Sequence, residues 1–254
     1  FDHRAASVVV DEKNWFRQGQ PDPTTLVAHQ NPEFSITPRW GVDQEVITNT
    51  VGRIPPAVRA YKNVTSPTNH RTMIAAFIPC FGVVNSAPII RFSIEDARLQ
   101  CCFLANLNAF VLDYVARQKI GNVNLNFYLV EQFPMYEPEF YEQPCPWNTR
   151  EKLKTWISER VLKLTCTSND MKPLAEATNF KPLVHRWDLT ERRELEAELD
   201  AAFFLLYGIK RKDVEYILST FSGIRKEQEA IPTGDSTDNR ILRHYDNLRK
   251  TSST

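Results

Sequence analysis

The sequence predicts an α+β protein in which strands and one long helix come first and a mainly helical region follows. Apolar runs bounded by turn residues lie between positions 71 and 92, and an amphipathic helical pattern covers residues 95–119. Helical periodicity returns beyond residue 148. The chain has 254 residues, of which 42% are hydrophobic, so it can bury a sizeable core, and we expect two domains.

Two strands are predicted ahead of the helix. Residues 71–78 and 87–92 are apolar runs, and Pro79 and Gly82 mark a turn between them. Two such runs joined by a turn favour antiparallel pairing. We therefore expect a hairpin.

One long helix is predicted over residues 95–119. Apolar side chains recur there at a spacing of three or four: Leu99, Phe103, Leu107, Phe110 and Tyr114. Ser93 is a suitable start signal and Gly121 a suitable stop. Residues 123–130 then alternate between apolar and polar side chains, which predicts a half-buried strand.

A segment rich in proline and aromatic residues, 134–147, is predicted to cross the surface in extended form. We take it as the junction between a domain of residues 1–133 and a helical domain of residues 148–254. Helices are predicted in the second domain over residues 149–165, 190–208, 210–221 and 238–250. Charged side chains of the second helix, including Arg192, are expected to face solvent.

Charge is unevenly distributed although it sums to zero. Residues 1–45 carry four basic and seven acidic side chains (net −3), and residues 46–130 carry eight basic and three acidic ones (net +5). No carboxylate occurs from position 46 to position 94. A surface that contacts phosphates gains from this absence, but a strand-rich stretch that is simply poor in charge accounts for it equally well.

Two polar segments, residues 63–71 and 117–124, are candidate nucleic-acid contacts, because amide, hydroxyl and cationic side chains bind base edges and phosphates. An ordinary polar turn and the dipole at a helix end are the structural alternatives. The base-reading candidates are Asn63, Thr65, Ser66, Thr68, Asn69, Asn122 and Asn124. The phosphate-binding candidates are Arg53, Arg59, Lys62, Arg71, Arg117 and Lys119.

No catalytic residue, metal or cofactor is predicted for this chain. Its five histidines and five cysteines lack metal-ligand spacing, and its eight glycines form no cofactor-binding loop. Asp11 and Lys13 match half of a nuclease pattern, which makes metal-dependent cleavage a third alternative. Residues 31–34 are interpreted as an ordinary Asn-Pro turn. Without a membrane-spanning run or a signal sequence, the protein is expected to be soluble and cytoplasmic.

Three segments resemble large bacterial adenine-specific DNA methyltransferases of restriction-modification and related phage-defence systems. Residues 106–134 (NLNAFVLDYVARQKIGNVNLNFYLVEQFP) are similar to the family's helix, glycine turn and strand. Ala109 replaces the family's serine there, and Phe133 replaces its leucine. Residues 64–72 (VTSPTNHRT) resemble its polar stretch ending in Arg-Thr, and residues 198–208 (ELDAAFFLLYG) resemble its C-terminal helix.

The resemblance implies a target-recognition region and helical tail that bind double-stranded DNA. The family's glycine-rich S-adenosylmethionine loop and Asn-Pro-Pro-Tyr loop do not occur in this sequence, which begins at Phe1. We therefore expect a fragment whose chemistry lies in an upstream methyltransferase domain, with S-adenosylmethionine as the parent protein's cofactor. A protein-interaction scaffold that docks other defence-system subunits is the alternative function.

Overall fold

The computed structural model describes residues 1–7, 22–37, 41–52, 54–121, 123–230 and 235–252. Helix accounts for 51% of the structure and strand for 10%, in small sheets, so the predicted α+β class is confirmed. Four of the predicted candidates, Asp11, Lys13, Arg53 and Asn122, lie outside the described residues.

The N-terminal part forms short elements. Strands β1 (Ala6–Ser7) and β2 (Asp22–Pro23) pair antiparallel, and helices α1 (Leu26–Gln30) and α2 (Gln44–Val51) follow. Beyond α1, the Asn31 side-chain oxygen accepts the amide of residue 33 at 3.0 Å, which is an Asx turn. The predicted Asn-Pro turn is therefore confirmed.

The main sheet has three antiparallel strands in the order β4-β3-β5. They are β3 (Val58–Tyr61), β4 (Ala75–Ile78) and β5 (Ile89–Ile90). The predicted hairpin between the last two is wrong, because β3 lies between them and pairs with both. All four side chains of β3 are buried, as is typical of a central strand.

The predicted long helix is two helices, α3 (Ala97–Asn108) and α4 (Phe110–Lys119), bent by 58°. Ala109 has an extended backbone, with ψ of 139°, which releases the amide of Phe110 from the helical ladder. That amide donates instead to Asp200 at 2.8 Å, so tertiary contacts compensate for the break.

The ends and inner face of this helix pair partly match expectation. Asp96, and not Ser93, caps the start, accepting the amides of residues 98 and 99 at 2.8 and 3.3 Å. Leu107 and Phe110 of the predicted apolar stripe are fully buried. The stripe therefore faces the core as predicted.

The strand predicted over residues 123–130 is wrong. Helix α5 (Phe127–Val130) occupies its second half, and a single isolated bridge between Val64 and Asn124 is the pairing described in its first half. The side chains of Phe127 and Tyr128 are more than half exposed. The alternation therefore does not mark a half-buried strand here.

Beyond residue 133 the chain is mainly helical. A 3₁₀ turn (Pro138–Glu142) leads to the antiparallel strands β6 (Pro144–Cys145) and β7 (Asn148–Lys152), so the segment predicted as extended contains regular structure. The helices that follow are α6 (Leu153–Thr165), α7 (Lys172–Ala177), α8 (Leu189–Leu206), α9 (Arg211–Ser219), α10 (Ser222–Ala230) and α11 (Thr237–Ser252). Four helices were expected, and α7 and α10 are additional.

One hydrophobic core extends across the predicted junction. Phe77 and Leu107 from before it belong to the same buried cluster as Phe203 and Ile241 from after it. Arg192 is 8% exposed and donates to the carbonyl of residue 164 at 2.6 Å, so its predicted solvent exposure is wrong. Within the described ranges, no single helix is long and apolar enough to cross a membrane. The bent pair of α3 and α4 has sufficient length and apolar composition only when the two helices are taken together.

Candidate nucleic-acid interface

Main-chain pairing joins the two polar segments that the sequence singles out. The amide of Thr65 donates to the carbonyl of Val123 at 2.9 Å, and the amide of Leu125 donates to the carbonyl of Asn63 at 2.9 Å. These bonds flank the Val64–Asn124 bridge. Residues 60 positions apart in sequence are thus neighbours in the structure.

The pairing turns Asn63 and Thr65 inward. Their exposed fractions are 9% and 4%, whereas Lys62 and Val64, on the opposite side of the alternating chain, are exposed. The Thr65 hydroxyl donates to the carbonyl of Thr72 at 2.7 Å. Asn63 and Thr65 therefore present no side chain to a base, and we remove them from the base-reading candidates.

Residues 66–70 form a tightly bonded polar turn. The hydroxyls of Ser66 and Thr68 are 2.8 Å apart, and the amide of Asn69 donates to the carbonyl of Ser66 at 3.1 Å. Helix α10 packs on this turn, since the hydroxyl of Ser222 donates to the carbonyl of Thr68 at 3.1 Å. The turn interpretation is confirmed, and Thr68 still has an exposed side chain.

Arg117 holds the same turn from inside. Its guanidinium donates to the carbonyl of Asn69 at 2.6 Å and lies 3.9 Å from the centre of the Phe221 ring. Burial lowers the pKa of this guanidinium, and the Asp113 carboxylate at 3.9 Å opposes that effect. With a side chain only 7% exposed, Arg117 fixes the turn and has little surface for a phosphate.

Arg71 is held by contacts to helices α3, α4 and α8. Its guanidinium lies 2.6 Å from a carboxylate oxygen of Asp200, donates to the carbonyl of Asn108 and stacks 3.7 Å from the centre of the Phe110 ring. Asp200 is not among the predicted site residues, although a carboxylate on the apolar face of a helix was a usable signal. We remove Arg71 from the phosphate candidates.

Arg59 lies on the inner side of β3 and is 9% exposed. It donates to the carbonyl of Ala57 at 3.1 Å and lies 4.9 Å from the centre of the Phe92 ring. Alternation along the strand places it opposite Lys62. The two cations therefore do not share a surface.

Six exposed side chains surround the paired segments, and we call this set the α5 face: Lys62, Val64, Lys119, Val123, Phe127 and Tyr128. Its apolar members are 50–59% exposed. The Lys119 ammonium donates to the Gln132 amide oxygen at 3.1 Å, and the Gln132 amide donates to the carbonyl of residue 128 at 2.7 Å. The Phe127 ring lies 6.4 Å from that of Tyr61, which precedes Lys62.

The α5 face has positive charge and one nearby acid. Among the described residues, neither lysine forms an ion pair, and Glu131, which follows α5 directly, is an exposed carboxylate next to the face. Burial, and then the charge of Glu131, raise the pKa of Tyr61, which places that carboxylate within electrostatic reach of β3. Asn124 is half-buried at the rim.

The described residues show no arrangement that could hold a metal ion. All five cysteines are free thiols in this structure. Four histidines each lie within 3.1 Å of a carboxylate, in the pairs His3–Asp170, His29–Asp2, His185–Glu191 and His244–Glu194. Three of these pairs link distant parts of the chain, whereas His185–Glu191 is a local contact, and all four support structural roles.

The three segments that carry the family resemblance meet at one buried polar junction. Arg71 comes from the first segment, Asn108 and the Phe110 amide from the second, and Asp200 from the third. The second and third segments also meet where the side-chain amide nitrogen of Asn106 donates to the hydroxyl oxygen of Tyr207 at 2.9 Å. Comparison of the chain with protein-family models, curated proteins and solved structures gives no match.

Proposed function

We propose that this chain binds double-stranded DNA through the α5 face, as the target-recognition region of a cytoplasmic adenine-specific DNA methyltransferase. The observation that carries the proposal is the pairing of residues 63–65 with residues 123–125. It gathers polar side chains from both candidate segments beside two lysines that lack a carboxylate partner among the described residues. Methyl transfer would require S-adenosylmethionine and a catalytic domain upstream in the same chain.

The proposed contacts follow from exposure. Lys62 and Lys119 supply charge for backbone phosphates, which dominates the affinity of most DNA-binding proteins. Ser66, Thr68 and Asn124 offer hydroxyl and amide groups for base edges or sugars. The rings of residues 127 and 128 offer faces against which bases or sugars can pack.

The test is a fluorescence-anisotropy titration of labelled duplex DNA at several salt concentrations. We expect the double substitution Lys62→Gln and Lys119→Gln to weaken binding to every sequence. The slope of log K against log salt should fall by about 0.9 for each phosphate contact that is lost. Arg150→Gln, which removes an exposed cation from β7, is the matched control and should leave the slope unchanged.

A substitution of opposite sign sharpens the test. Glu131→Gln removes the carboxylate next to the face, so duplex DNA should bind more tightly at low salt, with a smaller gain at high salt. Equal affinity of the wild type, the double lysine variant and the Glu131 variant would exclude the α5 face as the DNA-binding surface.

The exposed apolar side chains of the same face favour a second candidate function, the protein-interaction scaffold. Val64, Val123, Phe127 and Tyr128 form the kind of apolar surface that marks protein contacts. A scaffold predicts no salt-dependent DNA binding. It also predicts that Phe127→Ser weakens association with another purified subunit of the defence system, while the two lysine substitutions have little effect.

A further inference from the structure

Arg59 lines a cavity that the DNA-binding proposal does not use. The cavity has a volume of about 430 Å³ and lies between the chain before β3, the chain before α3 and helix α7. Its apolar walls include Pro55, Phe92, Leu174 and Ala177. This volume is within the range of sites for small organic molecules.

Among the described residues, no carboxylate forms an ion pair with the buried Arg59 guanidinium. The hydrogen bond described for it goes to the carbonyl of Ala57, and its Nε atom is buried with no partner in the described part of the chain. Glu95 also lines the cavity but forms no ion pair with Arg59. Burial lowers the pKa of this guanidinium, and its stacking on Phe92 offsets only part of the lost hydration.

Other buried arginines of the described chain are placed differently. Arg4 lies 3.3 Å from Asp2, and Arg192 also acts electrostatically on that carboxylate. Arg240 lies 3.5 Å from Glu227. An uncompensated buried charge is strongly destabilising. The position of Arg59 beside a cavity, with no carboxylate partner among the described residues, is therefore explained better by an anion that binds in the cavity.

We propose that the cavity binds a small organic anion whose carboxylate or phosphate group pairs with Arg59 and whose apolar portion packs on Phe92 and Leu174. A guanidinium suits either anion, because its N–H groups match two oxygens of a carboxylate or phosphate at once. Polar and apolar groups line the cavity about equally, so a ligand with both an anionic group and a hydrocarbon or ring portion fits it better than a bare inorganic ion. This inference is independent of DNA binding at the α5 face, because none of the residues that line the cavity belongs to that face.

The test measures binding of four probes to the whole chain by isothermal titration calorimetry and thermal shift. Phenyl phosphate and phenylacetate represent the two anions, phenylacetamide is the neutral analogue, and inorganic phosphate lacks the apolar portion. We expect saturable binding of one of the two aromatic anions and much weaker binding of the neutral amide and of free phosphate.

Two substitutions locate the site. Arg59→Met should weaken anion binding by about tenfold to hundredfold, as expected for the loss of hydrogen bonds to a charged group. The same change should leave the midpoint of thermal unfolding without ligand unchanged or higher, because the buried charge is gone. Ala177 lines the cavity and is exposed to solvent, so Ala177→Leu narrows the cavity without disturbing the core and should also abolish anion binding. This variant tests the proposal if the Arg59 variant fails to fold.

Lys226→Met, which removes an exposed cation on α10, is the control and should bind the anion as the wild type does. The proposal is overturned if neither aromatic anion binds at up to about 10 mM, where even weak complexes are detected. It is also overturned if both site substitutions leave the affinity unchanged. Competition by duplex DNA that is lost with Arg59→Met would assign the cavity to a DNA phosphate instead of a free anion.

Discussion

Breaking the contact between Arg71 and Asp200 should strongly destabilise the protein. Asp200→Asn keeps the shape of the side chain but removes the charge that lies 2.6 Å from the guanidinium and is 4% exposed. Breaking one side of a buried ion pair costs about 3–5 kcal/mol, because the remaining charge is uncompensated. Since folded proteins are stable by about 5–15 kcal/mol in total, this one substitution should consume a large fraction of the stability.

Urea unfolding followed by circular dichroism measures the effect. An unchanged m value would show that the variant exposes the same surface area on unfolding as the wild type does. Glu215→Gln on α9 is the control, because its side chain is 55% exposed and its pair with Arg211 should contribute about 1 kcal/mol or less. Adding Arg71→Met to Asp200→Asn should restore about 2 kcal/mol relative to the sum of the two single losses. A loss below about 1 kcal/mol for Asp200→Asn, or strict additivity in the double variant, would refute the reasoning.

Three further predictions concern other contacts. Gly223→Ala should cost about 1–3 kcal/mol of unfolding free energy in urea, because a Cβ there would lie 2.8 Å from the backbone of His70. Asn108→Ala should cost about 2–4 kcal/mol in the same assay, since its amide group bonds both the N–H and the C=O of one β4 residue at 2.9 and 2.8 Å. Burial opposes ionisation of Asp2, but the hydrogen bond with His29 helps hold the pKa of this carboxyl well below its ordinary value of 3.8. Its stabilisation is therefore complete above about pH 5 and lost as the pH falls toward the folded pKa, so Asp2→Asn should flatten the pH dependence of the urea midpoint on the acid side.

Helical periodicity was the part of the sequence that could be interpreted locally. Helices α8, α9 and α11 lie within two residues of the predicted ends, because each has an apolar face of adequate length and clear limits. Strand β3 escaped prediction because it has only four residues, one of them Arg59, and a cation argues against burial. The break at Ala109 depends on a carboxylate 91 positions later, which no local pattern reveals.

The candidate site shows the same division. Residue type identified the two polar segments, and the structure brings them together, but burial decides which of their side chains reach the surface. Asn63 and Thr65 alternate inward with β3, a direction fixed by a strand that the sequence did not predict. The sequence did not identify Phe127 and Tyr128 as members of the α5 face, because it predicts a strand where the structure has helix α5.

The cationic side chains of residues 46–130 therefore include some that are bound within the fold and some that are exposed. Arg71 and Arg117 are engaged by Asp200 and by the carbonyl of Asn69, so their charge holds the fold together. The α5 face retains two lysines, and two phosphate contacts correspond to a salt slope of about −1.8. Under the proposed function, such a shallow slope means weak binding by this chain alone, and the proposed catalytic domain would have to supply most of the electrostatic affinity. A measured slope of log K against log salt steeper than about −3 would require phosphate contacts from cations outside the α5 face.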